Sequence, residues 1–382
     1  MASATDKAPG YGLDRMHRLA FLVAGFGLPG VSDSHEKLEG EGDWRNLLSA
    51  IGYQRLSGLA IEAAESGCLD LTEEQWRDLV DAQRRRMCGA LRIEGALVNL
   101  HDAFHQAGLE YVVLKGPSIA HCAYEDPSLR PFGDLDLLVR TTDWDAASEI
   151  LGAAGFERAH PEAREGFHAS FGKALVHTRG DGVEVDLHRR LVVGPHGLCA
   201  DPAELFSGVQ TFEVGGRALP RLADTWLFLH VCMHAALGTK SPLLLALRDV
   251  LEVARMPGVD WSLVENRANS WKLRAVVPYA VRAASDLLGA PAPETCDRVA
   301  VQLSPSGKER KWLEAYTTDR RGRGGTAVAA ISAIPGFRDK VRYVTALLFP
   351  KRDFLENRQA RRGSYLRRLA VPLNWLVGRR RP

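Results

Sequence analysis

The sequence predicts an α+β protein, a small mixed sheet flanked by N-terminal and C-terminal helical regions. Apolar residues recur at helical spacing up to about residue 108, the pattern shortens to that of strands in the centre, and helical spacing returns after about residue 221. The central order of strand, helix, strand, helix and hairpin describes a small mixed sheet. The chain therefore divides into a helical region (1–108), an α/β core (109–220), a second helical region (221–350) and a basic tail (351–382).

In the front region, Leu47, Leu48, Ile51, Leu56, Leu59 and Ile61 lie at roughly helical spacing. A second pattern begins at Thr72, a good N-cap before the acidic Glu73 and Glu74. It runs through Trp76, Leu79, Met87, Ile93, Leu97 and Phe104 to Gly108, a suitable C-terminal glycine. The helix is long enough that a break near Gly89 or Gly95 is expected.

In the centre, Tyr111-Val112-Val113-Leu114 reads as a buried strand. Pro117 suits the first turn of a helix over 118–124. A loop over 125–131 leads to a strand over Asp134–Val139, and Thr142 or Asp143 caps a helix ending near Gly155. Lys173–Thr178 and Val183–His188, joined through Asp181-Gly182, form a hairpin pattern. Further helices start near Asp224, Ser241, Trp261 and Leu273, and Ala327–Ile334 is apolar but short.

Composition narrows the classes. With 382 residues, 46% hydrophobic and 25% charged, the chain can bury a large core, which excludes disorder throughout. A net charge of only +2 disfavours a nucleic-acid coat. The start lacks the order of a signal peptide and no apolar run reaches a membrane span of ~20 residues, so a cytoplasmic protein is expected. The six cysteines include no C-x-x-C pair and fit reduced thiols rather than a zinc site.

The most informative stretch is Leu114-Lys115-Gly116-Pro117-Ser118 followed by Arg130-Pro131-Phe132-Gly133-Asp134-Leu135-Asp136. Alternation on a strand sends Asp134 and Asp136 to one face. Two carboxylates so close repel each other, and a divalent cation removes that cost; Mg²⁺ prefers carboxylate oxygens plus substrate phosphates. Backbone N–H groups near Gly116 and Ser118 could meet phosphate at the strand-to-helix turn. Asp186, with Glu184 on the same face of a neighbouring strand, could complete a metal cluster or take a proton from an acceptor hydroxyl. Alone, a D-x-D pair at a strand start is more often just solvated.

These segments, L-K-G-P-S, R-P-F-G-D-L-D-L-L-V and V-E-V-D-L-H in that order, resemble the uncharacterised nucleotidyltransferase family of the DNA polymerase β-like superfamily. Leu247-Arg248-Asp249-Val250, Asp260-Trp261 and Ala370-Val371-Pro372-Leu373 follow a similar order in that family. The resemblance implies a polymerase β-like sheet and an Mg²⁺-dependent transferase with two ions. Asp134, Asp136 and Asp186 would be the metal ligands and catalytic acids. Lys115, Gly116, Ser118 and Arg130 would bind the nucleotide. It implies transfer of a nucleoside monophosphate from a nucleoside triphosphate to a hydroxyl or phosphate. The acceptor would be a peptide, a protein or a small molecule, since relatives resemble accessory enzymes of bacterial biosynthetic clusters. The usual Gly-Ser is Gly116-Pro117-Ser118 here, so Ser118 can miss the phosphate and Lys115 can compensate.

Other patterns weigh less. His230/His234 and His101/His105 have i, i+4 spacing but lack the glutamate of H-E-x-x-H. Either of the first two could instead line the acceptor cleft, and His188 could face the site. Arg321-Gly322-Arg323-Gly324-Gly325 reads as a linker. From Lys351 onward ten Lys and Arg stand against Asp353 and Glu356, which suits packing on the body, peripheral membrane contact, or an anionic partner. The rival functions are transfer from a nucleotide-activated sugar, a non-catalytic nucleotide-binding module, and an RNA-directed enzyme, which neutral charge disfavours.

Overall fold

The computed structural model describes residues 17–31, 36–38, 40–238, 242–317 and 322–351. The tail from residue 352, with every reading placed on it, lies outside the described residues. The front region contains α1 (Arg18–Gly25), α2 (Glu41–Gln54), α3 (Ser57–Glu65) and α4 (Glu73–Gln106), with a short parallel pair of β1 (Glu36–Lys37) and β2 (Leu69–Asp70). Thr72 caps α4 in a reciprocal box: its hydroxyl accepts from the Gln75 N–H, and the Gln75 side chain accepts from the Thr72 N–H. The helix is continuous over 34 residues, so the expected break at Gly89 or Gly95 is absent. Burial of Leu79, Ile93, Leu97, Leu100 and Phe104 along one face outweighs a cost of ~1 kcal/mol per glycine.

A seven-stranded mixed sheet forms the centre, in the order β5-β6-β7-β4-β3-β9-β8. Its strands are β3 (Tyr111–Val113), β4 (Leu135–Val139), β5 (Glu157–Arg158), β6 (Ala174–Thr178), β7 (Glu184–His188), β8 (Gln210–Val214) and β9 (Arg217–Arg221). Between them lie α5 (Pro117–Ala123), α6 (Trp144–Ala153), α7 (Phe167–Phe171) and α8 (Pro195–Cys199). The β6–β7 hairpin forms as its sequence predicts, with Gly182 at φ 85° in the turn. The β8–β9 hairpin was not expected. Its Gly215-Gly216 turn is a hairpin signal, but Pro220 argues against a strand. Pro220 is tolerated because β9 pairs with β3 only at Arg221 and Val113.

Strand alternation sorts the core. Leu135, Leu137, Val139, Val185 and Leu187 pack with α4 and α6 on one face. Val112, Leu114 and Leu138 join a larger cluster with the back helices on the other. Those helices are α9 (Asp224–Leu237), α10 (Leu244–Ala254), α11 (Trp261–Ser270), α12 (Val276–Leu288), α13 (Glu294–Gln302), α14 (Gly307–Thr317), α15 (Gly322–Ala333) and α16 (Phe337–Leu348). α9 is buried almost all round, which explains its weak amphipathicity. The segment Gly322–Gly325, read above as linker, is the first turn of α15.

The front helices also grip the loop that enters β4. The Gln83 amide donates to the Ser128 carbonyl (2.8 Å) and accepts from the Ser57 hydroxyl (2.7 Å). α3 comes so close that a Cβ on Gly58 would lie 2.3 Å from the Ser128 carbonyl oxygen. Gly58→Ala should therefore destabilise the protein by about 1–3 kcal/mol. On the outer side of α4 a Cβ on Gly95 meets nothing within 4 Å. Gly95→Ala should instead raise stability by about 0.5–1 kcal/mol. Urea unfolding of both variants checks the opposite signs.

Candidate active site

The β3–β4 ladder begins the site. The Leu114 N–H donates to the Asp136 carbonyl at 3.0 Å, which sets the start of the L-K-G turn beside the D-x-D segment. Gly116 then turns the chain into α5 at φ 68°, where a side chain would be strained; a Cβ would also lie 3.3 Å from the Asp134 carbonyl oxygen. On the other side β7 runs parallel to β4 in a register that pairs Asp136 with Asp186 and Leu138 with His188. Residues two apart share a face, so Asp136, Asp186 and His188 point the same way.

Asp136 and His188 are completely buried. Lys115 Nζ lies 3.2 Å from Asp134 Oδ2 and also contacts Asp136 Oδ2. The other Asp136 oxygen lies 2.9 Å from His188 Nε2. His188 Nδ1 is 3.0 Å from the Arg190 carbonyl, which can only accept, so Nδ1 carries a hydrogen and Nε2 is the nitrogen facing the acids. Nε2 is also 3.8 Å from Asp186 Oδ2, and Asp186 Oδ1 is buried without a hydrogen-bond partner.

These contacts split the acids. Burial opposes ionisation of Asp136, but the Lys115 ammonium and then the His188 hydrogen bond hold its carboxyl well below the usual range. Asp134 is lowered against its own burial, chiefly by Lys115 and then by Arg55. Burial pushes Asp186 up; His188 counters this and Asp136 adds to it. Glu184 is raised by burial and by Asp186 beside it. Lys115 is kept protonated because Asp136 and Asp134 outweigh its burial.

Asp136, Asp186 and His188 each offer one atom within 4.8 Å of the others, and they are the one such group among the described residues. Two carboxylates and an imidazole, with one carboxylate oxygen otherwise unpartnered, suit a divalent cation. His230/His234 and His101/His105 join no such group among the described residues. Burial drives the His230 pKa down to about 3, and the ring stays neutral.

The remaining expected residues lie behind the acids. Arg130 donates to both oxygens of Asp249 (2.8 and 2.6 Å) and to the Gly116 carbonyl (3.2 Å), while the Tyr124 hydroxyl also donates to Asp249 (2.9 Å). Arg130 thus ties the L-K-G turn to α10. Ser118 is fully buried in the first turn of α5, its hydroxyl without a hydrogen-bond partner. Sequence reasoning missed Arg55. It closes α2 in the left-handed conformation (φ 59°) and places Nη1 3.5 Å from Asp134 Oδ1. No motif marks it, because 79 residues separate the pair. The positive field of Lys173 on Asp136 and Asp186 was missed too.

No curated protein matches the sequence. Among solved structures, an antigenic nucleotidyltransferase-like protein from Paracoccidioides brasiliensis aligns over 54% of this chain and 96% of its own length. At 14% identity and a TM-score of 0.33, that likeness carries no argument. The profile of an uncharacterised nucleotidyltransferase family, by contrast, matches residues 40–289, a span that holds every residue of the acidic cluster and both partners of the Arg130–Asp249 pair. With well over half of the sequence matched and the strands that carry the acidic cluster inside the match, the chain belongs to this uncharacterised nucleotidyltransferase family.

Proposed function

We propose that the protein is an Mg²⁺-dependent nucleotidyltransferase. It moves a nucleoside monophosphate from a nucleoside triphosphate to a hydroxyl or phosphate of a peptide, protein or small-molecule acceptor. The observation that carries this reading is the register that brings Asp136 and Asp186 side by side, with Asp134 joined to Asp136 through Lys115. In this reading Asp134, Asp136 and Asp186 hold the ions, with His188 as a further ligand. Two Mg²⁺ ions, when bound, would neutralise the triphosphate and the entering and leaving oxygens. Asp186 is the carboxylate best suited to accept the acceptor's proton, because its proton affinity is raised while that of Asp136 is lowered. Lys115 offsets phosphate charge, and Gly116 gives the turn its positive φ beside the acids. Arg130 acts indirectly by fixing that turn.

One observation favours a second reading, a nucleotide-binding module without transfer. Ser118 and Arg130, two of the four residues expected at the phosphates, face the interior. Thermal unfolding against a panel of nucleoside triphosphates and nucleotide-sugars, with and without Mg²⁺, separates the readings from failure of both. A ligand at ~100 times its Kd adds about 2.7 kcal/mol to stability. A Mg²⁺-dependent shift from a triphosphate, lost in Asp136→Asn, is expected. A shift from nucleotide-sugars alone would move the donor assignment. A shift without pyrophosphate release on any acceptor would favour the module, and no shift from any ligand would sink both readings.

Loss of a partner that merely orients a metal ligand typically costs 10–100-fold. Asp136→Asn removes a ligand and should lower pyrophosphate release by more than about 100-fold. Unchanged release would refute the assignment. The depressed Asp136 pKa makes a second prediction for the metal-free protein. A carboxyl lowered on folding stabilises above its unfolded pKa of ~3.9, and that contribution disappears as pH falls below it. Acid unfolding of wild type should steepen below about pH 4, with a shallower limb in Asp136→Asn; identical limbs would contradict it.

Arg130→Met leaves the Asp249 carboxylate buried and should cost about 3–5 kcal/mol in urea unfolding. A loss under about 1 kcal/mol would mean that the pair does not hold the turn.

A further inference from the structure

Lys115 stands between two of the three acids expected to bind metal. Its ammonium lies between the carboxylates of Asp134 and Asp136 and is almost sealed from water. Among the described residues Nζ makes no other hydrogen bond or ion pair. A divalent ion and an ammonium draw on the same oxygen lone pairs, and two cations repel each other at that range.

From this we infer that Lys115 is a resident counter-ion that a divalent ion must displace, and so sets the metal affinity of the site. The inference rests on the metal-binding reading above. Three features make the exchange workable. The ammonium serves Asp134 and Asp136 but leaves Asp186 Oδ1 without a partner, so a doubly charged ion satisfies an acid that Lys115 cannot. After Lys115 leaves, Asp134 keeps Arg55 at 3.5 Å, and the ion itself takes over the charge of Asp136. A lysine is a point charge on a flexible four-carbon stem, able to swing without moving the backbone. Lys115 thereby holds two crowded acids together without metal, and its charge is freed for an anionic ligand when the ion enters.

The test is Mn²⁺ binding to the full chain without nucleotide, followed by electron paramagnetic resonance of the free ion. Wild type, Lys115→Gln, Arg55→Gln and Asp136→Asn are compared. Lys115→Gln should bind Mn²⁺ at least about tenfold more tightly than wild type, since a cation is removed from the ion's own place. Arg55→Gln should gain less than about threefold, because Arg55 touches only Asp134 and from further away. Equal or weaker binding by Lys115→Gln overturns the inference and leaves the metal site standing. An equal gain in Arg55→Gln also overturns it, because general charge and not occupancy would then be at work. No Mn²⁺ binding by wild type or Lys115→Gln removes both the inference and the metal-binding reading. Folding of Lys115→Gln only in the presence of Mn²⁺ would support it, as the ion would replace the lost counter-charge. If that variant does not fold under either condition, Lys115→Arg decides. It retains the charge and should bind Mn²⁺ no more tightly than wild type; tighter binding overturns the inference.

Discussion

A carboxylate with no exposed surface survives only beside compensating charge, and the surroundings of Asp136 follow from that requirement. Its two oxygens are shared between Lys115 and His188. Lys115 can reach it because the β3–β4 ladder extends to the Leu114 N–H and the Asp136 carbonyl. His188 can reach it because β7 pairs with β4 in parallel at a register of 136 with 186. A shift of one residue would turn Asp186 and His188 into the core on the other face. The acidic site and the hydrophobic core are thus set by the same strand register.

The helices outside the sheet serve this arrangement. The buried pair of Arg130 with Asp249 pins the R-P-F-G-D loop to α10, and the same guanidinium donates to the Gly116 carbonyl. The neighbouring Arg248 donates to the Ala24 and Phe26 carbonyls at the end of α1. One Arg-Asp dipeptide on α10 therefore joins α1 and the L-K-G turn. From the front, α3 and Gln83 of α4 hold the other side of the loop. Among the described residues, no helix is long and apolar enough to cross a membrane.

Misjudged elements have identifiable causes. Glycine propensity suggested a break in α4, but a buried stripe and a strong N-terminal cap carry the helix through. The β8–β9 hairpin carries a local turn signal in Gly215-Gly216, beside a proline that is rare within strands. Ser118 and Arg130 are buried, with Arg130 on Asp249, a placement that motif order does not encode. Arg55 had no local signal, since its role depends on α2 ending in a left-handed residue next to a loop 79 positions later.

Local patterning alone predicts a mixed sheet between helical regions. It also placed Asp134 and Asp136 on one face and made Asp186 their candidate third partner, because alternation and turn chemistry are local properties. Tertiary packing sets the register of β7 on β4, puts Lys115 between two acids and pairs Arg130 with Asp249. Those outcomes depend on register and burial between segments up to 119 residues apart, which local spacing does not encode.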